Sequence, residues 1–135
     1  MRRPACASDL RVTVCATHEA VEGVCAEFRA GRETFPDPAN YFVSELLLRE
    51  ALANALLHGC RGDPDRTIHC QVRVNPHRLI VAVRDDGAGF DWRTALGRQA
   101  PVSAVCGRGL EIFRTYGTRV RFNSRGNAVI VIKRF

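Results

Sequence analysis

The sequence predicts an α+β fold: a two-layer sandwich of one mixed, mostly antiparallel β-sheet with helices on one face. Three observations support this prediction. The elements follow the order strand, helix, helix, two strands, long connection, helix, two strands. Each pair of strands is joined by a short run of turn residues, which favours antiparallel hairpins. The length of 135 residues suits a single domain, which we assign to residues 1–135.

The first half of the chain supplies one strand and two helices. Residues 10–16, LRVTVCA, alternate as a strand does. The next segment, THEAVEGVCAEFRAG, predicts a helix with Thr17 as its N-cap and Gly31 at its C-terminal stop. After RETFPDPAN, a loop with two prolines, a second helix is expected over residues 39–58, with Gly59 as its stop.

The second half supplies four strands and a third helix. TIHCQVRV and RLIVAVRD are two strands joined by the turn residues NPH. A long connection, DGAGFDWRTALGRQAPVSAVC, is mixed in pattern and rich in turn formers, and such loops are usually functional. GRGLEIFRTYG, residues 107–117, predicts the third helix. TRVRFNS and AVIVIKRF, with RGN between them, predict the second hairpin.

Composition and charge exclude several classes of protein. Hydrophobic residues make up 46% of the chain and charged residues 25%, as in ordinary soluble domains. No apolar run approaches the roughly 20 residues of a membrane span, and no apolar segment follows the N-terminal arginines, so a cytoplasmic protein without membrane association is expected. The net charge of +6 favours anionic partners. The arginines are spread along the chain, however, so a nucleic-acid partner is not expected.

The cysteines predict a reducing compartment rather than a metal site. Six cysteines occur without a C-x-x-C pair, and several lie in apolar segments, where they behave as small hydrophobes. The alternative is a zinc site built from His58, Cys60, His69 and Cys70, whose spacing fits no common zinc pattern.

The second helix carries a row of polar side chains in an otherwise apolar segment. In SELLLREALANALLHG, residues Glu50, Asn54 and His58 recur at intervals of four and therefore share one face. The opposite side carries Leu48 and Leu52, so the helix is apolar nearly all round and is expected to be largely buried. A carboxylate there must be paired, bind a cation or face a cavity. Glutamate and asparagine oxygens suit a hard cation such as Mg²⁺.

A structural role for this row is the alternative. In that interpretation Glu50 is partly exposed and forms an ion pair with Arg49 or Arg61. Asn54 would then form hydrogen bonds with a neighbouring loop.

Two glycine motifs follow later in the chain. In VAVRDDGAGFD a strand delivers Asp85 to its end, and Gly87 and Gly89 would let a ligand lie directly against the backbone. GRGL, residues 107–110, opens the predicted third helix, where free amides, the helix dipole and Arg108 suit a phosphate. Each motif alone has modest specificity, because glycines are common in turns and before helices.

The three motifs together resemble a known superfamily. E-x-x-x-N-A-x-x-H-G, D-x-G-x-G-F and G-R-G-L, in this order and at these separations, are similar to the N, G1 and G2 boxes of the histidine-kinase-like (GHKL) ATPases, which include DNA gyrase, a heat-shock chaperone and histidine kinases. Within this superfamily, the NALLHG ending and the size of a single catalytic domain resemble the anti-sigma-factor serine kinases of bacterial partner-switching systems.

The resemblance implies a Bergerat-type ATP-binding fold that uses ATP and Mg²⁺. It implies that Asn54 binds Mg²⁺, that Glu50 acts as general base or positions the attacking hydroxyl, and that Asp85 receives the adenine amino group. The remaining nucleotide-binding residues that it implies lie in the two glycine motifs: Gly87, Gly89, Gly107, Arg108, Gly109 and Leu110.

The resemblance also implies partners. The protein is expected to act as an ATP-dependent serine/threonine protein kinase that phosphorylates a serine of a small antagonist protein and otherwise sequesters a sigma factor, and the family allows a homodimer. A nucleotide-gated protein-binding module without kinase activity is the alternative. A basic nucleic-acid binder is the less favoured rival, and its sign would be binding that weakens steeply with salt but ignores ATP.

Overall fold

The computed structural model describes residues 8–87, 112–116 and 119–135. It has two long helices, α1 (His18–Ala30) and α2 (Pro38–Asn54), a 3-10 turn at Arg32–Thr34 and a π-helical turn at Ala55–Gly59. Residues 112–116 are also helical, so the predicted third helix over 107–117 is described in part. The five strands are β1 (Ser8–Cys15), β2 (Thr67–Val74), β3 (Arg78–Asp85), β4 (Arg119–Phe122) and β5 (Ala128–Arg134).

The strands form one sheet in the order β1-β2-β3-β5-β4. The sequence predicts a mixed, mostly antiparallel sheet, and among the described strands every pairing is antiparallel. Both predicted hairpins, β2–β3 and β4–β5, are confirmed. Gly126 makes the turn of the second hairpin possible because its φ of 77° lies in the left-handed region. The predicted α+β class is therefore confirmed. In the sheet β5 lies beside β3, and β4 forms the edge.

The two predicted ends of α1 are also confirmed. Thr17 Oγ1 accepts a hydrogen bond from the backbone N–H of Ala20 at 3.1 Å, which satisfies one free amide of the first turn. At the other end, the N–H of Gly31 donates to the carbonyl of Phe28. Between these caps, Val24 and Phe28 are buried against the rest of the protein.

The second helix ends differently from the prediction. Asp37 caps its start by accepting from the N–H of Ala39 at 2.9 Å. The α-helix stops at Asn54 instead of reaching residue 58, and the chain widens into a π turn. In this turn the N–H of Cys60 donates to the carbonyl of Ala55 at 2.8 Å, five residues back. Such turns accommodate one extra residue and often occur at functional sites.

The core lies between the helices and the inner face of the sheet. The largest fully buried side chains come from α2, from β2, β3 and β5, and from the helical residues 112–116: Leu47, Leu48, Leu52, Ile68, Val72, Leu79, Val81, Phe113 and Val131. Burying a leucine or isoleucine contributes about 1.5–3 kcal/mol, so these contacts hold the two layers together.

The buried cysteines behave as the sequence predicts. Cys25, Cys60 and Cys70 are buried free thiols. Burial raises the pKa of Cys70 to about 12, and burial helped by Asp85 raises that of Cys60 to about 11, so both stay protonated. None of the helices in the described part of the chain combines the length and apolar character that a membrane span requires.

Candidate functional site

The π turn and the end of β3 meet at two glycines and one carboxylate. Asp85 Oδ1 accepts a hydrogen bond from the N–H of Gly87 at 2.8 Å. A Cβ atom on Gly59 would lie 2.1 Å from Asp85 Oδ2, and one on Gly87 would lie 1.9 Å from the carbonyl oxygen of Gly59. Since real Cβ contacts are never so short, both positions require glycine for this approach.

Asp85 is a buried carboxylate with an unusual environment. The residue is 5% exposed, and no described side chain donates a hydrogen bond to it. Burial raises its pKa, and the N–H of Gly87 opposes this rise only in part. A buried acceptor of this kind is stabilised by a ligand that brings its own donor.

Two asparagines hold the backbone of Asp85 in place. The N–H of Asp85 donates to the carbonyl of Asn127 at 2.9 Å. Asn127 Nδ2 returns a hydrogen bond to the carbonyl of Asp85 at 3.0 Å. Asn123 Nδ2 in turn donates to Asn127 Oδ1 at 2.5 Å. The sequence analysis did not predict these hydrogen bonds, because the only local sign of them is a pair of asparagines four residues apart at the RGN turn.

Asp86, the residue after Asp85, is held by hydrogen bonds from the start of β2 and the residue before it. Thr67 N–H donates to Asp86 Oδ1 at 3.1 Å, and Arg66 Nη1 donates to the carbonyl of Asp86 at 2.7 Å. The chain leaving β3 therefore has little freedom at the point where the carboxylate of Asp85 is presented.

Asn54 faces the same region from α2. It lines a crevice of about 10 Å³ together with Ala51, Asp85 and Asn127, a space the size of one water molecule. Its Nδ2 is buried and has no hydrogen-bond partner among the described residues. An unsatisfied buried donor costs about 1–3 kcal/mol, so a ligand that brings an acceptor to this amide would be favoured.

Glu50 lies one helical turn before Asn54 and is partly buried. Burial raises the pKa of its carboxyl. The alternative of an ion pair with Arg49 is wrong, because Arg49 Nη1 binds Glu22 at 2.8 Å and Arg49 Nη2 lies 3.4 Å from Glu45. Within the described ranges Glu50 forms no ion pair with Arg61 either.

The row on α2 borders an open side of the helix. Leu48 and Leu52 on the opposite side are fully buried, whereas Leu57, in the π turn after the helix, is 54% exposed. The expectation that α2 is largely buried holds on the side of Leu48 and Leu52, whereas Glu50 and Asn54 in the row are partly buried. His58, the last member of the row, is partly buried, and burial lowers its pKa.

The zinc alternative finds no support in the described ranges. No group of three histidine, cysteine or acidic side chains there is placed to hold a metal ion. The reason is visible on β2, where His69 Nδ1 pairs with Thr13 Oγ1 at 3.0 Å on the outer face and Cys70 is buried in the core.

The structure thus brings three predicted site residues to one region, Asn54, Asp85 and Gly87, and Glu50 lies one helical turn before Asn54. The other predicted site residues lie outside the described residues: Gly89, Gly107, Arg108, Gly109 and Leu110. The described part offers a buried acceptor beside two glycines, an amide in need of a partner and a carboxylate with a raised pKa.

The motif resemblance is confirmed by comparison with known proteins. A family model described as "Histidine kinase-like ATPase domain" matches residues 14–133. The anti-sigma F factor of Anoxybacillus flavithermus is 27% identical over 85 residues, which are 60% of this chain and 58% of that protein. The chain therefore aligns with little more than half of that relative's length.

A solved structure shares the fold. The histidine kinase domain of the blue-light activated histidine kinase from Erythrobacter litoralis matches with a TM-score of 0.54 and 17% sequence identity. The match covers 87% of this chain and 59% of that one. At this level of identity the similarity concerns the fold alone, and it agrees with the predicted sandwich.

The contact of Gly59 with Asp85 can be tested by adding one methyl group. Gly59→Ala should lower the free energy of unfolding by about 1–3 kcal/mol, because the new Cβ would force the Asp85 carboxylate out of place. Gly23→Ala is the matched control. It lies on an exposed part of α1 with nothing within 4 Å, and it should stabilise the protein by about 0.5–1 kcal/mol. Urea unfolding followed by circular dichroism measures both, and equal effects would contradict the assigned contact.

Proposed function

Because the chain belongs to the histidine kinase-like ATPase domain family, we propose that it binds Mg²⁺ and ATP where α2 meets the end of β3. We propose further that it is a serine/threonine protein kinase that acts as an anti-sigma factor. The observation that carries the proposal is the buried Asp85 carboxylate between Gly59 and Gly87, which shares a crevice with the unsatisfied amide of Asn54.

Asp85 is proposed to recognise adenine. Its carboxylate is an acceptor without a side-chain donor among the described residues, and the exocyclic amino group of adenine supplies one. Guanine carries a carbonyl oxygen at the same position, which would face the carboxylate without a proton between them. Gly59 and Gly87 fix the position of this carboxylate, because only glycine allows the π turn and the end of β3 to approach it so closely.

Asn54 is proposed to hold Mg²⁺, and its side chain fits this role. The buried amide has an unsatisfied Nδ2, and a half-turn about its last torsion would exchange that group for Oδ1, an oxygen ligand of the type Mg²⁺ prefers. When bound, Mg²⁺ neutralises negative charge on the nucleotide phosphates. Phosphate binding by Gly107, Arg108 and Gly109 remains a prediction from the sequence.

Glu50 is proposed to accept the proton of the attacking hydroxyl. In the transfer, the serine oxygen bonds to the terminal phosphorus of ATP, the bond from that phosphorus to the ADP oxygen breaks, and the serine proton passes to Glu50. Burial raises the pKa of this carboxyl towards the working pH, which suits a general base. No described cation competes for Glu50, because Arg49 beside it is engaged by Glu22 and Glu45.

The anti-sigma role is supported by the relative named anti-sigma F factor. The proposed substrate is a serine of a small antagonist protein, and the proposed second partner is a sigma factor. A protein with the same nucleotide site but no phosphate transfer would instead be a nucleotide-gated binding module.

Adenine specificity should depend on Asp85. Asp85→Asn should weaken ATP binding by about tenfold or more, because a hydrogen bond to a charged group contributes about 1.5–3 kcal/mol. Its preference for ATP over GTP should narrow, since the amide can also donate to the guanine carbonyl. The neighbouring Asp86→Asn is the matched control, because Asp86 is exposed and an amide oxygen can still accept from Thr67. Calorimetric titration with both nucleotides measures this, and unchanged ATP affinity in Asp85→Asn would refute the adenine assignment.

Substitutions of Glu50 and of Asn54 should have different effects, the first on phosphate transfer and the second on ATP binding. Glu50→Gln should bind ATP normally and slow transfer by about 10²–10⁴-fold, since the amide cannot accept the proton. In the unmodified protein the transfer rate should fall at acidic pH as Glu50 is protonated. The fall should occur at a pH above the ordinary range of glutamate, because the pKa of Glu50 is raised.

Asn54→Ala should instead weaken Mg²⁺-dependent ATP binding without lowering stability, since it removes an unsatisfied donor.

Radiolabel transfer across a pH series and calorimetry with and without Mg²⁺ separate these roles. Glu27→Gln, at an exposed position of α1, is the control for loss of a carboxylate. Normal transfer by Glu50→Gln would leave Glu50 with a structural role only.

Partner switching is the decisive test of the proposed function. With ATP, the protein should phosphorylate a serine of a small antagonist protein from the same organism and then bind the product more weakly. A phosphoserine adds about −1.5 to −2 charge, and its repulsion by the nucleotide phosphates favours release. Pull-downs of the antagonist and its serine-to-aspartate variant, at matched ADP and ATP concentrations, measure this. ATP binding without any transfer would instead identify a nucleotide-gated binding module.

A further inference from the structure

The face of the sheet that points away from α1 and α2 has a composition of its own. Side chains alternate along each strand, and on β2 and β3 every second residue is buried in the core while the residues between them are exposed or half-buried. We call the outward set of side chains on the five strands the outer face. It has no part in the nucleotide site, because Asp85 belongs to the inward set.

The outer face is strongly basic. Across the described strands its positions hold seven arginines and one acidic residue, Asp9. That aspartate is already engaged, because its Oδ1 lies 3.7 Å from Arg73 Nε. Arg11, Arg84 and Arg121 form no ion pair with any described residue. No described carboxylate pairs with these three arginines, so their charge is available to an external anion or acidic surface.

Apolar side chains occupy the middle of the outer face. Ile80 on β3 lies opposite Ile132 on β5, and Ala82 lies opposite Ile130, which is 44% exposed. Beside them is a depression of about 420 Å³, whose floor includes the small side chains of Ala82 and Ala128. An exposed apolar strip with a hollow at its edge is a feature of protein interaction sites.

The register places arginines on both sides of this apolar strip. One row across the sheet runs from Arg11 on β1 through Ala82 and Ile130 to Arg121 on β4. Five strands at about 4.8 Å spacing separate the two ends by about 19 Å. An α-helix with its side chains is about 10–12 Å wide and therefore fits between them.

We propose that the outer face is a docking surface for a protein partner that presents an acidic amphipathic helix. The apolar side of that helix would cover Ile80, Ile130 and Ile132, one of its side chains would fill the depression, and its acidic flanks would meet Arg11 and Arg121. The inference goes beyond the proposed function, because the outer face and the nucleotide site lie on opposite sides of the sheet.

Other occupants fit less well. A second copy of the same face would bring arginines against arginines, which is repulsive. Single-stranded nucleic acid is bound by basic grooves that also offer aromatic side chains, and the outward positions of the described strands hold no Phe, Tyr or Trp. A flat anionic bilayer would leave the depression unfilled.

The test uses a labelled 18-residue helical peptide with leucines along one side and glutamates flanking them, measured by fluorescence anisotropy on the full chain. A scrambled peptide of the same composition keeps the charge but loses the apolar side. We expect the helical peptide to bind at least about tenfold tighter than the scrambled one, because only it buries the isoleucines.

Variants then locate the contact. Arg11→Glu and Arg121→Glu should each weaken the helical peptide by about tenfold or more, because each places like charges opposite one another. Ile130→Thr, which keeps a β-branched side chain in the strand, should also weaken it. Arg32→Glu, an exposed charge reversal beyond the sheet, is the control and should have little effect. Circular dichroism checks that each variant remains folded, and calorimetry with ATP checks separately that the proposed nucleotide site is unchanged.

Three results would overturn the proposal. The first is equal binding of the helical and scrambled peptides, and the second is an effect of Arg32→Glu as large as that of Arg121→Glu. The third is tighter, Arg121-dependent binding of an oligo-dT strand, of anionic lipid vesicles or of a second copy detected by sedimentation. Loss of ATP binding by Asp85→Asn with normal peptide binding would leave the docking surface standing, so the two proposals fail separately.

Discussion

The close approach of the π turn to the end of β3 is the contact on which the rest of the site depends. With no Cβ on Gly59 or Gly87, two stretches of backbone come close enough for the Asp85 carboxylate to lie between them. The π turn makes this approach possible by adding one residue to the end of α2. The hydrogen bonds between Asp85 and Asn127 hold the other side of the same strand end. A side chain at either glycine would disturb all of these contacts together.

The site buries two carboxylates, Glu50 and Asp85, at a cost to stability. The pKa values of Glu50 and Asp85 are raised by burial, so the folded state binds their protons more tightly than the unfolded chain does. Protonation of these two carboxyls therefore stabilises the folded state. This stabilisation is fully present below the pKa values of the unfolded chain, and it is lost as the pH rises through the higher pKa values of the folded state. At neutral pH both carboxylates therefore oppose folding. A ligand that brings donors or a cation reverses this effect in the bound state.

The neighbouring charges behave in the opposite way. Hydrogen bonds from Arg29 and Tyr41 outweigh the effect of burial and lower the pKa of Glu45, whose Oε1 lies 2.6 Å from Arg29 Nη2. Its contribution to stability is present above the unfolded pKa and is lost as the pH falls through the folded one. The paired network thus lies one to two turns before Glu50 on α2, and no cation among the described residues pairs with Glu50. The sheet shows a similar division between an inward side that carries Asp85 and an outward side where Arg11, Arg84 and Arg121 form no ion pair with a described residue.

The sequence by itself determined the order of the described helices and strands, the caps of α1, both hairpins and the motifs that identify the family. These features depend on residues close together in the chain, through periodicity, turn chemistry and capping, so local patterns are sufficient to predict them. The caps at Thr17 and Gly31 are examples.

Only the tertiary structure decided the features that join distant segments. The π turn replaced four predicted helical residues because Gly59 has to meet Asp85, which is 26 positions later in the sequence. Arg49 forms its ion pair with Glu22 on α1 and not with its neighbour Glu50. Asn127 forms a hydrogen bond with the backbone of Asp85, 42 positions earlier in the chain. The insertion of β5 between β3 and β4 aligned Arg11 with Arg121 across the outer face. Each outcome depends on which segments pack together, and that is set by the burial of the whole core rather than by any local pattern.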